Sequence, residues 1–414
     1  MSWIPAFPAA RVLSLSALLA VGVASADDVS PPADNIVPIR VRQVHAGQFN
    51  ILFVDVTVCN AAHDCRTVPN VQVDTGAVGL RLYREALDGL ALDAVTDDAG
   101  RPLAQWTKFG TGHLWGTLHR AQVSLGKVAT KEAIPIQLYD WPSRVERLPA
   151  GYHDDDARQA LILMGNGILG ISPRLLWTKR YYALRAPRGP GAKSKASDWK
   201  PAYVDETRQL ANPIAHFPPP YDNGSVISLP DVDWRHGQGE VHGWLGLGIG
   251  APTENLFPVG ARRISHDLDK HDRFWVTLDE RPFKVLTDSG CNVVLLDLDA
   301  LGYARDPAGL GYYHADAPTP LKLSVSADAN VFELSRPLYL GSVKNLRKAY
   351  LGYGVLPMLV ACDDKPDKYN LLGLPFFYGR TVATGLRGAV NPYGPVAPVA
   401  AAPTSPHGFI AYTD

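Results

Sequence analysis

The sequence predicts an all-β protein, mainly strands with few short helices, built as two related lobes over residues 37–221 and 222–414. Three observations predict this class. The chain has 414 residues, too many for one ordinary hydrophobic core. Its 37 glycines and 34 prolines favour turns and short strands over long helices. One pattern, an apolar strand that runs into Asp-Thr-Gly or Asp-Ser-Gly, occurs twice.

The charge balance gives no support for a nucleic-acid or membrane-surface partner, so neither is expected. Lys and Arg number 40 against 41 Asp and Glu, for a net charge of −1. Apolar residues make up 46% and charged residues 20%, as in a soluble globular protein. Beyond the N-terminal apolar run, no segment is long and apolar enough to span a membrane. The protein is expected to act as a monomer.

The N-terminus predicts a cleavable export signal over residues 1–26. Arg11 precedes the apolar run Val12–Val23, which is too short to span a bilayer. Ala24-Ser25-Ala26 then fits a small-x-small cleavage site, with the cut after Ala26. A buried core helix is the alternative interpretation. The mature protein is therefore expected to be secreted or periplasmic.

Strands dominate the chain that follows a flexible lead-in over residues 27–36. Alternating apolar and polar residues predict the first strand over Ile36–Val41. Asn50–Val58 and Thr67–Val73 predict a hairpin that delivers Asp74 to its turn. Further strands alternate with turn-rich segments through the rest of the chain.

Two segments are rich in loop-forming residues. Residues 172–220 hold many Pro, Gly and basic residues and predict a surface insertion, with a short helix over Leu175–Leu184. A basic recognition patch is the alternative for that insertion. A Pro/Ala-rich spacer over residues 392–406 precedes a strand at Gly408–Tyr412. That strand is expected to close a sheet with another segment, such as the N-terminal strand.

The four cysteines fit an oxidising compartment. Cys59 and Cys65 flank a short polar segment between two strand-like runs, which predicts a disulfide that staples this hairpin. Cys291 and Cys362 are the remaining pair, and a second disulfide between them is an open alternative because nothing in the sequence fixes their separation. No C-x-x-C or H-x-x-x-H spacing supports a metal site. No metal and no cofactor are expected.

The repeated pattern carries the candidate chemistry. Val71–Ala77 and Val285–Cys291 each place a carboxylate on a Thr-Gly or Ser-Gly turn at the end of an apolar strand. Each copy is followed by an apolar-apolar-Gly segment, Ile168–Gly170 in the first and Leu371–Gly373 in the second. A carboxylate in this setting is costly unless amides and hydroxyls satisfy it. The two turns are therefore expected to face each other.

Facing carboxylates at these turns predict acid–base chemistry. Two such groups brought close cannot both ionise, so they share one proton. One then acts as a base toward a bound water while the other polarises a carbonyl, which hydrolyses a peptide bond without a metal. The hydroxyl after each aspartate can bond to the opposite turn, and the glycine lets backbone amides approach. The expected catalytic pair is Asp74 and Asp288, supported by Thr75, Gly76, Ser289 and Gly290.

These residues resemble the bilobal pepsin-like aspartic proteases, over most of the mature chain. The two Asp-containing turns match the active-site loops of that family, and Asn166–Ile171 and Leu371–Phe377 match its apolar-Gly segments. The layout is also similar to a set of uncharacterised secreted bacterial proteins. The resemblance implies two β-barrel-like lobes with an active-site cleft between them. It also implies that a hairpin flap covers the substrate through Phe109, Gly110, Thr111 and Gly112.

The sequence departs from that family beside the site. Phe109 replaces the flap tyrosine, and Ala77 and Cys291 stand where the family usually has Ser or Thr. Fewer hydrogen-bond donors should raise the pKa of the carboxyl groups, which predicts a mild pH optimum. The expected function is a secreted or periplasmic aspartic endopeptidase with a peptide or protein substrate. The alternatives are an inactive protein of the same fold that binds peptide, protein or carbohydrate, and a structural envelope protein without a cleft.

Overall fold

A computed structural model gives the fold of the chain after residue 30. The predicted signal peptide over residues 1–26, Thr111, and parts of the lead-in, the 172–220 insertion and the Pro/Ala-rich spacer lie outside the described residues. The structure describes residues 31–110, 112–139, 165–185, 198–235, 237–307, 311–327, 330–362, 370–394 and 404–414.

The described chain is mainly β, which confirms the predicted fold class. Its described helices are short, with six residues at most. No described helix is long and apolar enough to cross a membrane. The α-helix α1 spans Leu346–Ala349, and 3-10 helices span Arg84–Leu87, Glu206–Arg208, Pro213–His216, Ala251–Leu256, Asp299–Leu301, Val343–Asn345 and Leu374–Phe376.

The strands of the first half of the chain contain long runs of buried Val, Leu and Ile, as expected for strands covered on both faces. They are β1 (Ile36–Arg42), β2 (Leu52–Cys59), β3 (Cys65–Asp74), β4 (Val78–Tyr83), β5 (Leu103–Phe109), β6 (Gly112–Leu125), β7 (Val128–Ala129), β8 (Ile134–Tyr139), β9 (Gly167–Ile171), β10 (Tyr181–Leu184) and β11 (Trp199–Pro201).

Six of these strands close into a barrel, in the order β2-β3-β9-β4-β8-β6, because β6 pairs again with β2. The pairs β3–β9 and β4–β8 are parallel, and the other neighbours are antiparallel. Closure leaves no edge strand within this ring, and its inward side chains form part of the main apolar core. β5, β10 and β11 extend the same sheet from β6.

The second half of the chain adds strands to this sheet and builds two more. From β2 the main sheet continues as β1-β13-β12-β24-β25-β14, and the smaller sheets have the orders β20-β19-β15-β16-β23-β17-β22 and β18-β21. These strands are β12 (Gly224–Ser228), β13 (Glu240–Leu247), β14 (Arg263–Asp267), β15 (Phe274–Leu278), β16 (Arg281–Thr287), β17 (Val294–Leu296), β18 (Thr319–Leu321), β19 (Leu323–Ala327), β20 (Asn330–Glu333), β21 (Leu338–Leu340), β22 (Val360–Cys362), β23 (Asn370–Leu372), β24 (Thr381–Gly385) and β25 (Phe409–Thr413).

The final strand has partners other than the predicted one. β25 pairs with β14 and β24, whereas the N-terminal strand β1 pairs with β2 and β13. The suggestion that the two terminal strands pair is therefore wrong. The boundary between lobes near residue 222 stays a prediction, because one sheet contains strands from both sides of it.

The predicted helix over Leu175–Leu184 is also wrong. Tyr181–Leu184 forms β10, which pairs with β5 and β11. Tyr181 and Ala183 are buried while Tyr182 and Leu184 are half-buried, which is the period of a strand. Arg180 has a φ of 65°, a value that no helix interior accepts.

The cysteines follow one prediction and correct the other. Cys59 and Cys65 form a disulfide that joins β2 to β3, as predicted. Cys291 and Cys362 both carry thiols, so the alternative of a second disulfide is wrong. The thiol of Cys291 instead donates a hydrogen bond to the carbonyl oxygen of Val293 at 3.2 Å, while Cys362 ends β22.

Candidate active site

The two copies of the repeat have the same local architecture. In the first, β3 runs parallel to β9 and places Asp74 beside Gly170. In the second, β16 runs parallel to β23 and places Thr287 beside Leu372. In both copies the strand after the turn, β4 or β17, pairs antiparallel with that same partner strand. The apolar-apolar-Gly segments are thus the inner strands that support the two turns.

The glycines of these inner strands allow close backbone packing. A Cβ atom on Gly170 would lie 2.6 Å from the backbone nitrogen of Val78. A Cβ atom on Gly373, just past β23, would lie 1.9 Å from the carbonyl oxygen of Val293. Both distances are far inside van der Waals contact, so any side chain at either glycine would push the turn segment away from its support.

The two turns face each other and are joined by reciprocal hydrogen bonds. The Thr75 amide donates to Ser289 Oγ at 3.1 Å, and the Ser289 amide donates to Thr75 Oγ1 at 3.0 Å. Ser289 Oγ donates onward to the carbonyl oxygen of Val73 at 2.9 Å, and Thr75 Oγ1 to that of Thr287 at 3.2 Å. Each hydroxyl therefore bonds to the opposite turn, as the sequence predicts.

Each carboxyl group lies against the glycine of the other turn. A Cβ atom on Gly76 would lie 2.7 Å from Asp288 Cγ, and one on Gly290 would lie 2.4 Å from Asp74 Cγ. Each carboxyl also accepts a bond from the glycine amide of its own turn, at 2.7 Å for Asp74 and 2.9 Å for Asp288. The glycines thus let the two acids approach while their amides stabilise negative charge.

The carboxyl groups of Asp74 and Asp288 line the same cleft, and each interacts with the other strongly enough to shift its pKa. Asp74 is 8% exposed. Burial raises the pKa of both groups, and the negative charge of Asp74 raises the pKa of Asp288 further, well above its ordinary value. For Asp74, the Gly76 amide, the bond to Asp288 and the charge of Arg81 oppose that rise in pKa. The two carboxyls therefore titrate as a coupled pair, which shares one proton in its singly protonated state.

The residues after each glycine give the acids backbone contacts only. The amides of Ala77 and Cys291 contribute hydrogen bonds that lower the pKa of Asp74 and Asp288 respectively. The methyl group of Ala77 packs in an apolar cluster with Phe109. Burial, followed by the charge of Asp288, raises the pKa of the Cys291 thiol to about 12, so this thiol is neutral at physiological pH.

A small cleft opens onto the two carboxyl groups. Its cavity volume is about 160 Å³, room for a few water molecules and below the usual range of about 300–1,000 Å³ for ligand pockets. Phe109 and Gly110, at the end of the β5–β6 hairpin, form part of its wall, and Phe109 pairs with Gly112 across the bend. The other lining residues are Ile51, Gln72, Asp74, Ile168, Asp288, Gly290, Cys291, Asn292 and Leu371.

Two residues of the site, Gln72 and Arg81, have no role predicted from the sequence. Gln72 donates from Nε2 to the carbonyl oxygen of Gly290 at 2.9 Å, which ties β3 to the opposite turn. Arg81 lies wholly buried in β4, close enough to Asp74 for its charge to act on that carboxyl. The available signal was a single arginine inside the otherwise apolar run Val78–Tyr83.

A larger cleft elsewhere offers less reactive chemistry. About 600 Å³ in volume, it is lined in part by Asp231 and Asp233. These acids are paired with Arg336 and Arg235, at 2.9 and 3.0 Å, so neither presents an uncompensated carboxylate. Among the residues that the structure describes, no group of three or more His, Cys, Asp or Glu side chains could hold a metal ion.

Comparison with known proteins gives a family. The family model described as "Protein of unknown function (DUF3443)" matches residues 31–401. The chain belongs to this family. No curated protein matches the DUF3443 chain. Among solved structures it is similar to the aspartic proteinase from Irpex lacteus, with a TM-score of 0.44 and 12% sequence identity, over 91% of this chain and 96% of that chain.

Proposed function

We propose that this DUF3443 protein is an aspartic endopeptidase, of the pepsin-like type, that is secreted or periplasmic. One observation carries the proposal: Asp74 and Asp288 lie at one cleft, each against the glycine of the opposite turn, and the two turns bond to each other reciprocally. The disulfide between Cys59 and Cys65 supports an oxidising compartment.

The proposed reaction divides the roles of the two acids by their environments. Asp74, with the charge of Arg81 nearby, is the ionised member and removes a proton from a water molecule between the carboxyl groups. Asp288 is the protonated member and donates a hydrogen bond to the carbonyl oxygen of the peptide. Water attacks the carbonyl carbon, and a proton then passes to the leaving amine as the C–N bond breaks.

The substrate we propose is an extended peptide or protein segment. The cavity of about 160 Å³ is too small for several residues, so the end of the β5–β6 hairpin must lift and close again around the chain. Phe109 then supplies an apolar ring above the cleft without the hydroxyl that a tyrosine would bring.

Peptide cleavage tests the proposal directly. Mature protein is incubated with casein and a peptide library from pH 3 to 7, beside the variant Asp74→Asn. The wild type is expected to cleave, and the variant to lose about 10²–10⁴-fold in rate because the base is gone. Cleavage by neither protein, or by both equally, contradicts the protease and leaves the binding-module alternative, which retained binding of library peptides would then support.

The proposed location has its own test. Expression of the full chain in a bacterial host, followed by fractionation and N-terminal sequencing, is expected to give exported protein that begins at Asp27. Protein that stays in the cytoplasmic fraction with its first 26 residues intact contradicts the export signal.

A further inference from the structure

Arg81 is a wholly buried arginine that connects the first turn to the hairpin over the cleft. Its Nη1 donates to the carbonyl oxygen of Val78, in the segment that follows Asp74. Its Nη2 donates to Thr107 Oγ1 at 3.3 Å and to Gln105 Oε1 at 3.5 Å, both on β5. The guanidinium therefore bridges β4, which begins just after the catalytic turn, and the strand that ends at the cleft.

Two aromatic rings enclose the same guanidinium. Its Cζ lies 5.6 Å from the ring centroid of Phe109 and 5.4 Å from that of Trp177. Cations at such distances are attracted to the ring faces, more strongly when the site is dry. Phe109 also lines the cavity at the carboxyl groups, so the ring over the cleft rests on the cation.

The negative charge that acts on Arg81 comes from Asp74 at the cleft. Burial lowers its pKa to about 10, and the neighbouring titratable groups Tyr181 and Asp74 oppose that change, which leaves it charged at physiological pH. Burial raises the pKa of Tyr181, so that group is neutral, and Asp74 is the acid that supplies negative charge. Within the described part of the chain, Arg81 Nε has no hydrogen-bond partner. A buried arginine with an unpaired N–H group lowers the stability of the folded state, so its presence here points to a functional role.

Resting on the proposed function, we propose that Arg81 is a positioning residue that couples the hairpin end at Phe109 to the ionised state of Asp74. With the hairpin down over the cleft, Gln105, Thr107 and Phe109 hold the guanidinium where its charge acts on the base. Ionisation of Asp74 in turn attracts the guanidinium and so favours the hairpin position that holds it. Closure of the hairpin over a peptide and ionisation of Asp74 are then coupled, so that each favours the other.

Three variants of the mature protein test this coupling. Arg81→Met removes the charge at similar volume. Arg81→Lys keeps the charge but loses the planar guanidinium that contacts the two aromatic rings and donates to several acceptors at once. Arg380→Met is the matched control, because Arg380 is also buried, donates to a carbonyl oxygen (Phe376, 2.9 Å) and stacks over a phenyl ring at 4.7 Å, but it lies just before β24 rather than on β4. For each, we would measure the pH profiles of kcat and kcat/KM and, without substrate, the ¹³C-carboxyl NMR titration of the aspartates.

Arg81→Met is expected to move the acid limb of the kcat/KM profile and the Asp74 titration upward by about one pH unit or more. Arg81→Lys should restore most of that shift while KM stays at least several-fold raised, because the hairpin is no longer held. Arg380→Met should leave both pH positions unchanged. An active Arg81→Met enzyme with wild-type pH limbs and wild-type KM overturns the coupling while the protease function stands. A wild type that cleaves nothing overturns the function instead, and the NMR titration then decides the coupling, which is contradicted if Asp74 titrates alike in wild type and Arg81→Met.

Discussion

At the level of single residues, Thr75 and Ser289 hold the two carboxylates at their separation. Each hydroxyl receives a bond from the opposite turn and gives one back to a strand on that side. All four partners are buried, so none can turn to water when its bond is lost. The alignment of the two acids therefore depends on the hydroxyls of Thr75 and Ser289, which take no direct part in the proposed reaction.

Ser289→Ala tests that dependence. The change leaves the Thr75 amide and the Val73 carbonyl without the serine hydroxyl, at a cost of about 1–3 kcal/mol for each buried group left unpaired. Urea unfolding is expected to show that loss, with a fall in peptide cleavage as the turns separate. Ser228→Ala is the control, since its hydroxyl is only partly buried and bonds to Thr381 Oγ1 away from the site. Equal stability losses in the two variants would contradict a special role for the cross-turn bonds.

Asp288→Asn is expected to lose peptide cleavage and to gain thermal stability at neutral pH. Because the folded-state pKa of Asp288 lies above its unfolded value, its stabilising contribution is fully present below the unfolded pKa and is lost as pH rises through the folded pKa. The variant should therefore melt at a higher temperature than wild type at pH 7. The difference should shrink toward pH 4 and below, near the ordinary carboxyl pKa.

Asp269→Asn is the matched control of opposite sign for this melting experiment. Burial opposes the change, but hydrogen bonds from Lys284 and two backbone amides lower the pKa of Asp269 to about 2. Its contribution is present above the unfolded pKa and lost as pH falls through the folded pKa, so Asp269→Asn should melt lower than wild type at pH 7. A melting temperature of Asp288→Asn below that of wild type at neutral pH would mean that ionisation of Asp288 does not destabilise the folded protein.

At the level of elements, the inner strands β9 and β23 determine where the turns lie. Each is sandwiched between the strand that enters a turn and the strand that leaves it. The sequence marks both strands by their apolar-apolar-Gly pattern, which is why the pairing of the turns could be predicted. The closure of the barrel through β6 and β2 could not, because no local pattern records which distant strands pair.

Gly170→Ala tests this support. The new methyl group would lie only 2.6–2.7 Å from backbone atoms of Ala77 and Val78. Because these contacts are with backbone, they can be relieved only if the first turn moves. Overpacking of this kind costs about 1–3 kcal/mol or more, and activity should fall further than stability. Gly239→Ala is the control, with its nearest neighbour 4.0 Å away, and should change neither. Full activity in a folded Gly170→Ala protein would contradict the role of β9 in holding the turn.

The burial of Arg81 and the strand at Tyr181–Leu184 both depend on distant parts of the chain. Val78–Tyr83 forms β4, and five of its six residues, Arg81 among them, are buried. Residues 175–184 have helix-compatible composition, but Arg180 turns the chain and tertiary pairing with β5 sets a strand. In both cases neighbours far along the chain decide the outcome.

At the level of the whole molecule, burial of both acids in one cleft would set the working pH of the proposed protease. Below the lower pKa of the pair both carboxyls are protonated, and above the upper pKa both are ionised, so activity should follow a bell-shaped profile. Because burial raises both pKa values, both limbs are expected at higher pH than for well-solvated acids. A profile that peaks below about pH 3, under the ordinary carboxyl pKa, would contradict this expectation.

Cys291→Thr sharpens the pH experiment. The substitution adds a hydroxyl donor beside Asp288, where the thiol now bonds to a carbonyl instead. A donor to the ionised carboxylate lowers its pKa, so the basic limb should move to lower pH. Cys362→Ser provides the control at the other thiol and should leave the profile in place.

The chain halves resemble each other at the site more than in their sheets. The family resemblance implies two related barrel-like lobes, and the first half of the chain does contain a closed six-stranded barrel. The second half adds strands to that main sheet and also forms a seven-stranded sheet whose order, over the described strands, does not return on itself. The motif specifies the turn and its supporting strands, whereas closure depends on strand lengths and tilts that a short motif does not encode.

For the proposed protease, the cross-turn bonds also have a consequence for the stage of folding at which activity begins. The Thr75 amide and Ser289 hydroxyl are separated by 214 positions in the chain. Bringing such distant segments together costs closure entropy before any bond offsets it, so contacts of this range form slowly. The barrel, closed by residues between 52 and 171, can assemble before the second turn arrives. A chain of the proposed exported protease that is still being synthesised or threaded across a membrane would thus carry only half a dyad, and cleavage would begin only after the second turn has folded against the first.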